Sequence, residues 1–175
     1  MNIFYLHPNP YIAARLQYNK HVVKMVLESA QMLCTAHHVY GSDEQKRLVP
    51  YKKAHLNHPS TIWTRQCRDN YMWLWMHMWG LGYQYYKRYG GKTHLTITKC
   101  ADFLRTPPKY IPDGEFCEPP QAMPDQYKVP GCSLTAYWNY YEAEKYTVAG
   151  KDEELKTRPN ELFNNITSNS NNIPC

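Results

Sequence analysis

The segment from Tyr18 to Ala36, YNKHVVKMVLESAQMLCTA, is apolar at most positions. Wound as a helix, it gathers Lys20, Lys24, Glu28, Gln31 and Thr35 into one stripe about 80° wide. A surface helix usually carries an apolar stripe on a polar body. Here the pattern is reversed, so the helix is expected inside the protein with a polar slot along one edge. The slot has two readings. It is a solvated edge on which Lys24 and Glu28 form an i,i+4 pair, or it is the wall of a site for an anion with one general base. A second reversed helix follows. Ile62 to Tyr89 reads as one long helix, or as two with a break near 67–69, and its aromatic body carries Asn70, His77, Gln84 and Arg88 on one side.

The remaining pattern predicts an all-α fold: a single compact helical domain with a long proline-rich loop and an irregular C-terminal tail. Residues 2–6 form a short strand or an extended arm. Asn9-Pro10 signals a helix start, and a short helix over 11–16 leads into the long one, with Asn19 as its cap. Residues 41–56 are polar and basic and read as an exposed loop. Asn57-His58-Pro59 is a turn that opens the aromatic segment, and Gly90-Gly91 closes it. A helix over 93–104 precedes residues 105–131, whose prolines exclude regular structure. That stretch is a lid, or a wrapping segment packed through Tyr110, Phe116, Met123 and Tyr127. Residues 133–148 form the last helix, with Ser133 as its cap. The domain is expected over 1–150, with a polar, flexible tail over 151–175.

Composition changes this picture in one respect. With 16 Tyr and 5 Trp, the core must be built from rings whose polar tips need partners. Such walls can also stack bases. Net charge is +5, and the acids concentrate after Asp113, which leaves the first two-thirds basic and favours a polyanionic partner such as nucleic acid. A charge of this size would equally serve solubility. The six cysteines lack zinc-like spacing and nothing resembles a signal peptide, so free thiols in a reducing cytoplasm are expected. The apolar run over 71–81 is too short to span a bilayer.

The residues that could carry chemistry follow from the two stripes. Lys20 and Lys24, with Arg65, Arg68, Lys87 and Arg88 if they face the slot, would hold a phosphate-like anion, or would be ion pairs joining two helices. Glu28 is the candidate base and Gln31 its orienting partner. Asn70 and His77 extend the set of substrate contacts, although a histidine on an aromatic helix also suits a satisfied core position. His58 could contact a phosphate or cap a helix. No two histidines have the i,i+4 spacing of a helical metal site, and there is no GxSxG, P-loop or GxGxxG, so nucleotide triphosphate hydrolysis and dinucleotide chemistry are not expected.

The order of these elements resembles the small all-helical pyrimidine-dimer DNA glycosylases of the T-even phage endonuclease V type, over about residues 1–147. More closely, Asn19-Lys20-His21…Lys24…Glu28…Gln31, Leu56-Asn57-His58-Pro59…Trp63, Asn70-Tyr71…Trp73 and Pro119-Pro120-Gln121…Met123-Pro124…Tyr127-Lys128 are similar to a set of phage proteins identified as amino acid:DNA transferases of thymine hypermodification. The glycosylase likeness implies a Schiff base on a free N-terminal amine beside a glutamate. Here Asn2 is too large for ordinary methionine removal, and Glu28 neighbours Lys24 and Gln31 where that family has arginines.

The transferase likeness implies an amino acid whose amine displaces pyrophosphate from an activated 5-hydroxymethyluracil in DNA. Lys20, Lys24, Arg68 and Arg88 would hold the leaving group, and Glu28 would keep the amine neutral. Trp63, Tyr71 and Trp73 would stack the extruded base. Gln121, Tyr127 and Lys128 would belong to a lid. The implied partners are DNA and a free amino acid, in the cytoplasm of an infected host cell. No protein metal site is implied, although a pyrophosphate makes Mg²⁺ a conceivable companion. The alternatives are the dimer glycosylase/lyase and a non-enzymatic nucleic-acid-binding protein.

Overall fold

The structure, a computed structural model, describes residues 1–148. Within them the fold is all-α: α1 (Pro10–Leu16), α2 (Asn19–Tyr40), α3 (Asp43–Leu48), α4 (Pro59–Thr64), α5 (Arg68–Arg88), α6 (Leu95–Leu104) and α7 (Ser133–Tyr140). The expected tail over 151–175 lies outside the described residues. No helix among those described is long and apolar enough to cross a membrane.

The two reversed helices form the centre. α2 packs along α5, and α1 packs on α5 as well, where Gly80 leaves room for it: a Cβ there would sit 3.1 Å from the Ala14 Cβ. α4 and α6 flank α2. Met25, Val26, Met32, Leu33, Tyr71, Leu74, Met78 and Leu81 fill the interface between these helices.

Several local expectations are corrected. Asn9 caps α1 as expected, its Oδ1 accepting from the amides of Tyr11 and Ile12. Asn19, however, lies within the first turn of α2, and Tyr18 takes the cap position without a side-chain hydrogen bond. The expected loop over 41–56 contains α3, nucleated by a reciprocal capping box between Ser42 and Gln45. The aromatic segment is two helices with the break at Cys67. Ser133 does not cap α7. It is the first helical residue, and its amide donates to Glu118 Oε2 at 2.7 Å. After Tyr140 the helix widens into a π-helical turn over Tyr141–Lys145.

The N-terminal arm (residues 2–8) is extended, and Ile3, Phe4, Tyr5 and Leu6 are buried. A buried segment outside any helix or sheet leaves backbone groups that must find partners elsewhere. Side chains supply them. Gln17 Nε2 donates to Ile3 O, Trp138 Nε1 to Leu6 O and Trp73 Nε1 to Pro8 O. The proline-rich segment is held the same way. Trp63 Nε1 donates to Cys117 O, the Cys117 amide to Asn70 Oδ1, and Tyr137 Oη to Pro120 O. The abundance of Trp and Tyr thus has a structural use: their polar tips satisfy a backbone that no ladder satisfies.

Candidate functional site

A cleft of about 520 Å³ opens where the arm, the N-terminal half of α2 and the π-helical turn meet. It is lined by Lys20, His21, Lys24 and Glu28 of α2, by Asn2 and Phe4 of the arm, and by Tyr140 and Lys145, with Met1 and Met25. A shallower hollow of about 730 Å³ lies against the proline-rich segment. Its one charged side chain, Glu118, is engaged with the start of α7. The smaller cleft gathers the charges, and it is the candidate site.

Glu28 is held from two sides. Its Oε2 accepts from the Asn2 amide at 3.0 Å, and its Oε1 lies 3.3 Å from Lys24 Nζ. Its side chain is 14% exposed, whereas that of Lys24 is 68% exposed. Glu28 is therefore fixed, and Lys24 is free to bend toward a ligand. Asn2 is the joint of the arm. Its Oδ1 accepts from the amides of Ile3 (2.7 Å) and Phe4 (3.1 Å), and its Nδ2 donates to Ala122 O at 2.8 Å. This turn holds Phe4 at φ 54, a left-handed conformation that costs a non-glycine residue about 1 kcal/mol or more. The strain delivers the Phe4 ring to the cleft, stacked on His21 at 4.4 Å.

Lys145 completes the wall. Its Nζ stands 4.3 Å from the Tyr140 ring centroid, and Tyr140 packs on Tyr127 at 5.4 Å. Three ammonium groups (Lys20, Lys24, Lys145) thus meet one carboxylate, which suits a multiply charged anion. His21 is 7% exposed, and its pKa is lowered to about 4, first by burial and then by Lys145 and Lys24. It is neutral at pH 7.

The other sequence candidates lie elsewhere. Gln31 does not line the cleft, and no hydrogen bond joins it to Glu28 among the described residues; the Asn2 amide takes that orienting place. His58 caps α4, its Nδ1 accepting from the Ser60 amide. Burial lowers its pKa, followed by the Met1 amine and His55, while Glu28 acts in the opposite sense, so His58 stands within electrostatic reach of the cleft. Arg68 is exposed and pairs with Asp113 at 3.0 Å. Arg88 donates to Arg15 O, Gln17 O, Asn19 Oδ1 and Gln84 Oε1, clamping the α1–α2 junction to α5. Asn70 is buried and donates to Trp63 O. His77 is fully buried, accepts from Gln17 Nε2 and stacks on Trp73. Burial lowers its pKa to about 3.

The expected stacking platform of Trp63, Tyr71 and Trp73 is likewise core: all three are buried, and Tyr71 Oη donates to Leu104 O. Of the expected lid, Gln121 is bonded to Val129 in both directions, Lys128 pairs with Asp125, and Tyr127 packs behind Tyr140; none of the three lines the cleft. The proline-rich segment is a packed strap.

Sequence reasoning missed Lys145, Tyr140, Phe4 and His21 as site residues. Only His21 had a signal, its place beside Lys20. No group of three or more His, Cys, Asp or Glu residues able to hold a metal occurs among the described residues. Set against protein-family models, curated proteins and solved structures, the chain matches none.

Proposed function

We propose that the Lys20–Lys24–Lys145 cleft is the active site of a DNA-base-modifying enzyme. In this reading it transfers an amino acid, through its amine, to a pyrophosphate-activated 5-hydroxymethyluracil in DNA. The observation that carries the reading is the meeting of three lysines, brought from α2 and from the π-helical turn, around one fixed carboxylate. The lysines hold the pyrophosphate and stabilise charge as it leaves. The amine nitrogen bonds to the C5 methylene while the carbon–oxygen bond to pyrophosphate breaks, the electron pair leaving with the phosphate oxygen. Glu28 accepts the proton released by the amine. Tyr140, half-buried on the cleft wall, replaces the buried tryptophans as the ring against which an extruded base would stack.

The test is incubation with radiolabelled amino acids and DNA carrying pyrophosphorylated 5-hydroxymethyluracil. Label in the DNA is expected with the wild-type chain; no label from any of several amino acids overturns the reading. A parallel arm with EDTA reports whether Mg²⁺ accompanies the pyrophosphate.

A second reading, a pyrimidine-dimer glycosylase/lyase, is favoured by one observation: Met1 lines the cleft beside Glu28. It requires a free α-amine at Met1. Borohydride trapping on ultraviolet-irradiated DNA would leave an adduct there, and absence of both adduct and nicking excludes it.

A further inference from the structure

α5 has a second face, opposite its polar stripe. At 100° per residue, Trp75, Trp79, Tyr83 and Tyr86 fall about half a turn from Asn70, His77, Gln84 and Arg88. Trp79 is 44%, Tyr83 57% and Tyr86 50% exposed, three large rings left to solvent on one helix. With Gly82, Thr93 and Ile97 they line a groove of about 190 Å³. A Cβ at Gly82 would lie 2.5 Å from the Ile97 side chain, so glycine is what lets α6 seat this close beside the rings. The rings are held from behind. Trp79 is stacked on Trp75 (6.1 Å, 13° between planes), and Trp75 Nε1 donates to Ala101 O at 3.1 Å.

The charge around these rings has one sign. Between Asp69 and Asp102 the chain has no Asp or Glu, and neither of those two lines the groove. Lys87 Nζ stands 5.8 Å from the Tyr83 ring centroid. Lys92 is exposed just after Gly91, which lies against the Tyr86 ring. A cationic ligand would meet ammonium groups and no carboxylate, so the rings are not a cage for one. A second copy docked on the same face would gather four lysines into one interface.

We propose that this face of α5 binds a single-stranded segment of nucleic acid, its bases stacked on Trp79, Tyr83 and Tyr86 and its phosphates held by Lys87 and Lys92. Rings three or four residues apart rise about 5–6 Å along the helix, so each offers a separate surface to a base. A duplex hides its base faces and gains only the lysines. The surface shares no residue with the lysine cleft and does not rest on the chemistry proposed there.

Fluorescence anisotropy of the full chain with a labelled oligothymidine strand tests it. Binding is expected, and weaker binding when the strand is paired as a duplex. Trp79→Leu and Tyr83→Leu keep apolar bulk at exposed positions. Each is expected to weaken binding of the strand about 10-fold, the size of one base–aromatic stack, and to leave the duplex unaffected. Lys87→Gln/Lys92→Gln removes no ring and should flatten the slope of log affinity against log salt by about 1.4, two phosphate contacts on a single strand. No binding by the wild-type chain, ring variants that bind as wild type, or an unchanged slope overturns the proposal. A strand lost with Lys20→Ala/Lys24→Ala but kept by the ring variants lies in the cleft and overturns it as well. A dimer in sedimentation that the ring variants dissociate, with strand affinity unchanged, assigns the face to a second copy instead.

Discussion

α2 and α5 carry the same sequence signature, a polar stripe on an apolar body, and they meet opposite fates. On α5 the stripe is consumed internally. Arg88 is spent on three acceptors of the α1–α2 junction and on Gln84, Asn70 on Trp63 O and the Cys117 amide, and His77 on Gln17. On α2 the stripe opens into a cleft. Lys20 is exposed on its wall, Lys24 is mostly exposed, and Glu28 is held from two sides. What separates them is the facing element. Asn70 and Arg88 of α5 lie against backbone outside regular structure, at the proline-rich strap and the α1–α2 junction, and are used to satisfy it. The N-terminal half of α2 faces the arm, from which Glu28 takes the Asn2 amide, and a π-helical turn that adds another cation.

The contrast is broken most sharply by Glu28→Gln. The amide still accepts from Asn2, so the urea midpoint is expected to hold. Amino-acid transfer should fall by about 100-fold or more, the usual range for loss of a general base. Retained turnover would make the α2 stripe as structural as that of α5.

Acid comes next. His21 and His37 (pKa about 4) and His77 (about 3) are all lowered chiefly by burial. Their unfolded forms titrate near the ordinary histidine value, so between about pH 6.5 and 4 the unfolded chain binds more protons. Stability is then full above the unfolded pKa and is lost as pH falls. Urea titrations at pH 7 and pH 5 should differ by roughly 4 kcal/mol in all, discounted for incomplete burial. Equal stabilities would mean that the histidines are protonated in the fold.

Arg88→Ala should cost about 3 kcal/mol of stability, since it strands acceptors at the α1–α2 junction. Transfer per folded molecule should stay unchanged. Lys24→Ala is the smallest effect on stability, within about 0.5 kcal/mol, because its pair with Glu28 is solvated. It should nevertheless weaken pyrophosphate binding several-fold, and matching losses from the two variants would erase the distinction.

Helices α1, α2, α5 and α6 were legible because their periodicity and their Gly or Pro boundaries are local. α3 was legible too, in Ser42-x-x-Gln45, but its charged surface masked the capping box. The tryptophans misled for a physical reason. An aromatic ring with a polar tip suits a base-stacking wall and a backbone-satisfying core equally well, and only the positions of Pro8 O, Leu6 O and Cys117 O decide between them. Half of the site was readable: Lys20, Lys24 and Glu28 repeat at helical spacing. The other half is nonlocal. Lys145 reaches the cleft from more than a hundred residues away, on a π-helical turn that no simple periodicity announces. Phe4 depends on a left-handed backbone held by the Asn2 side chain.

The central claim is that α2 presents its stripe to a ligand and α5 does not. Backbone amide shifts of the ¹⁵N-labelled chain during titration with inorganic pyrophosphate test it most directly. Shifts are expected at Asn2, Phe4, Lys20 to Glu28 and Tyr140 to Lys145, with Asn70, His77 and Arg88 unmoved. Shifts centred on Arg68, Asn70 and Arg88, with Lys20 to Glu28 silent, would contradict it.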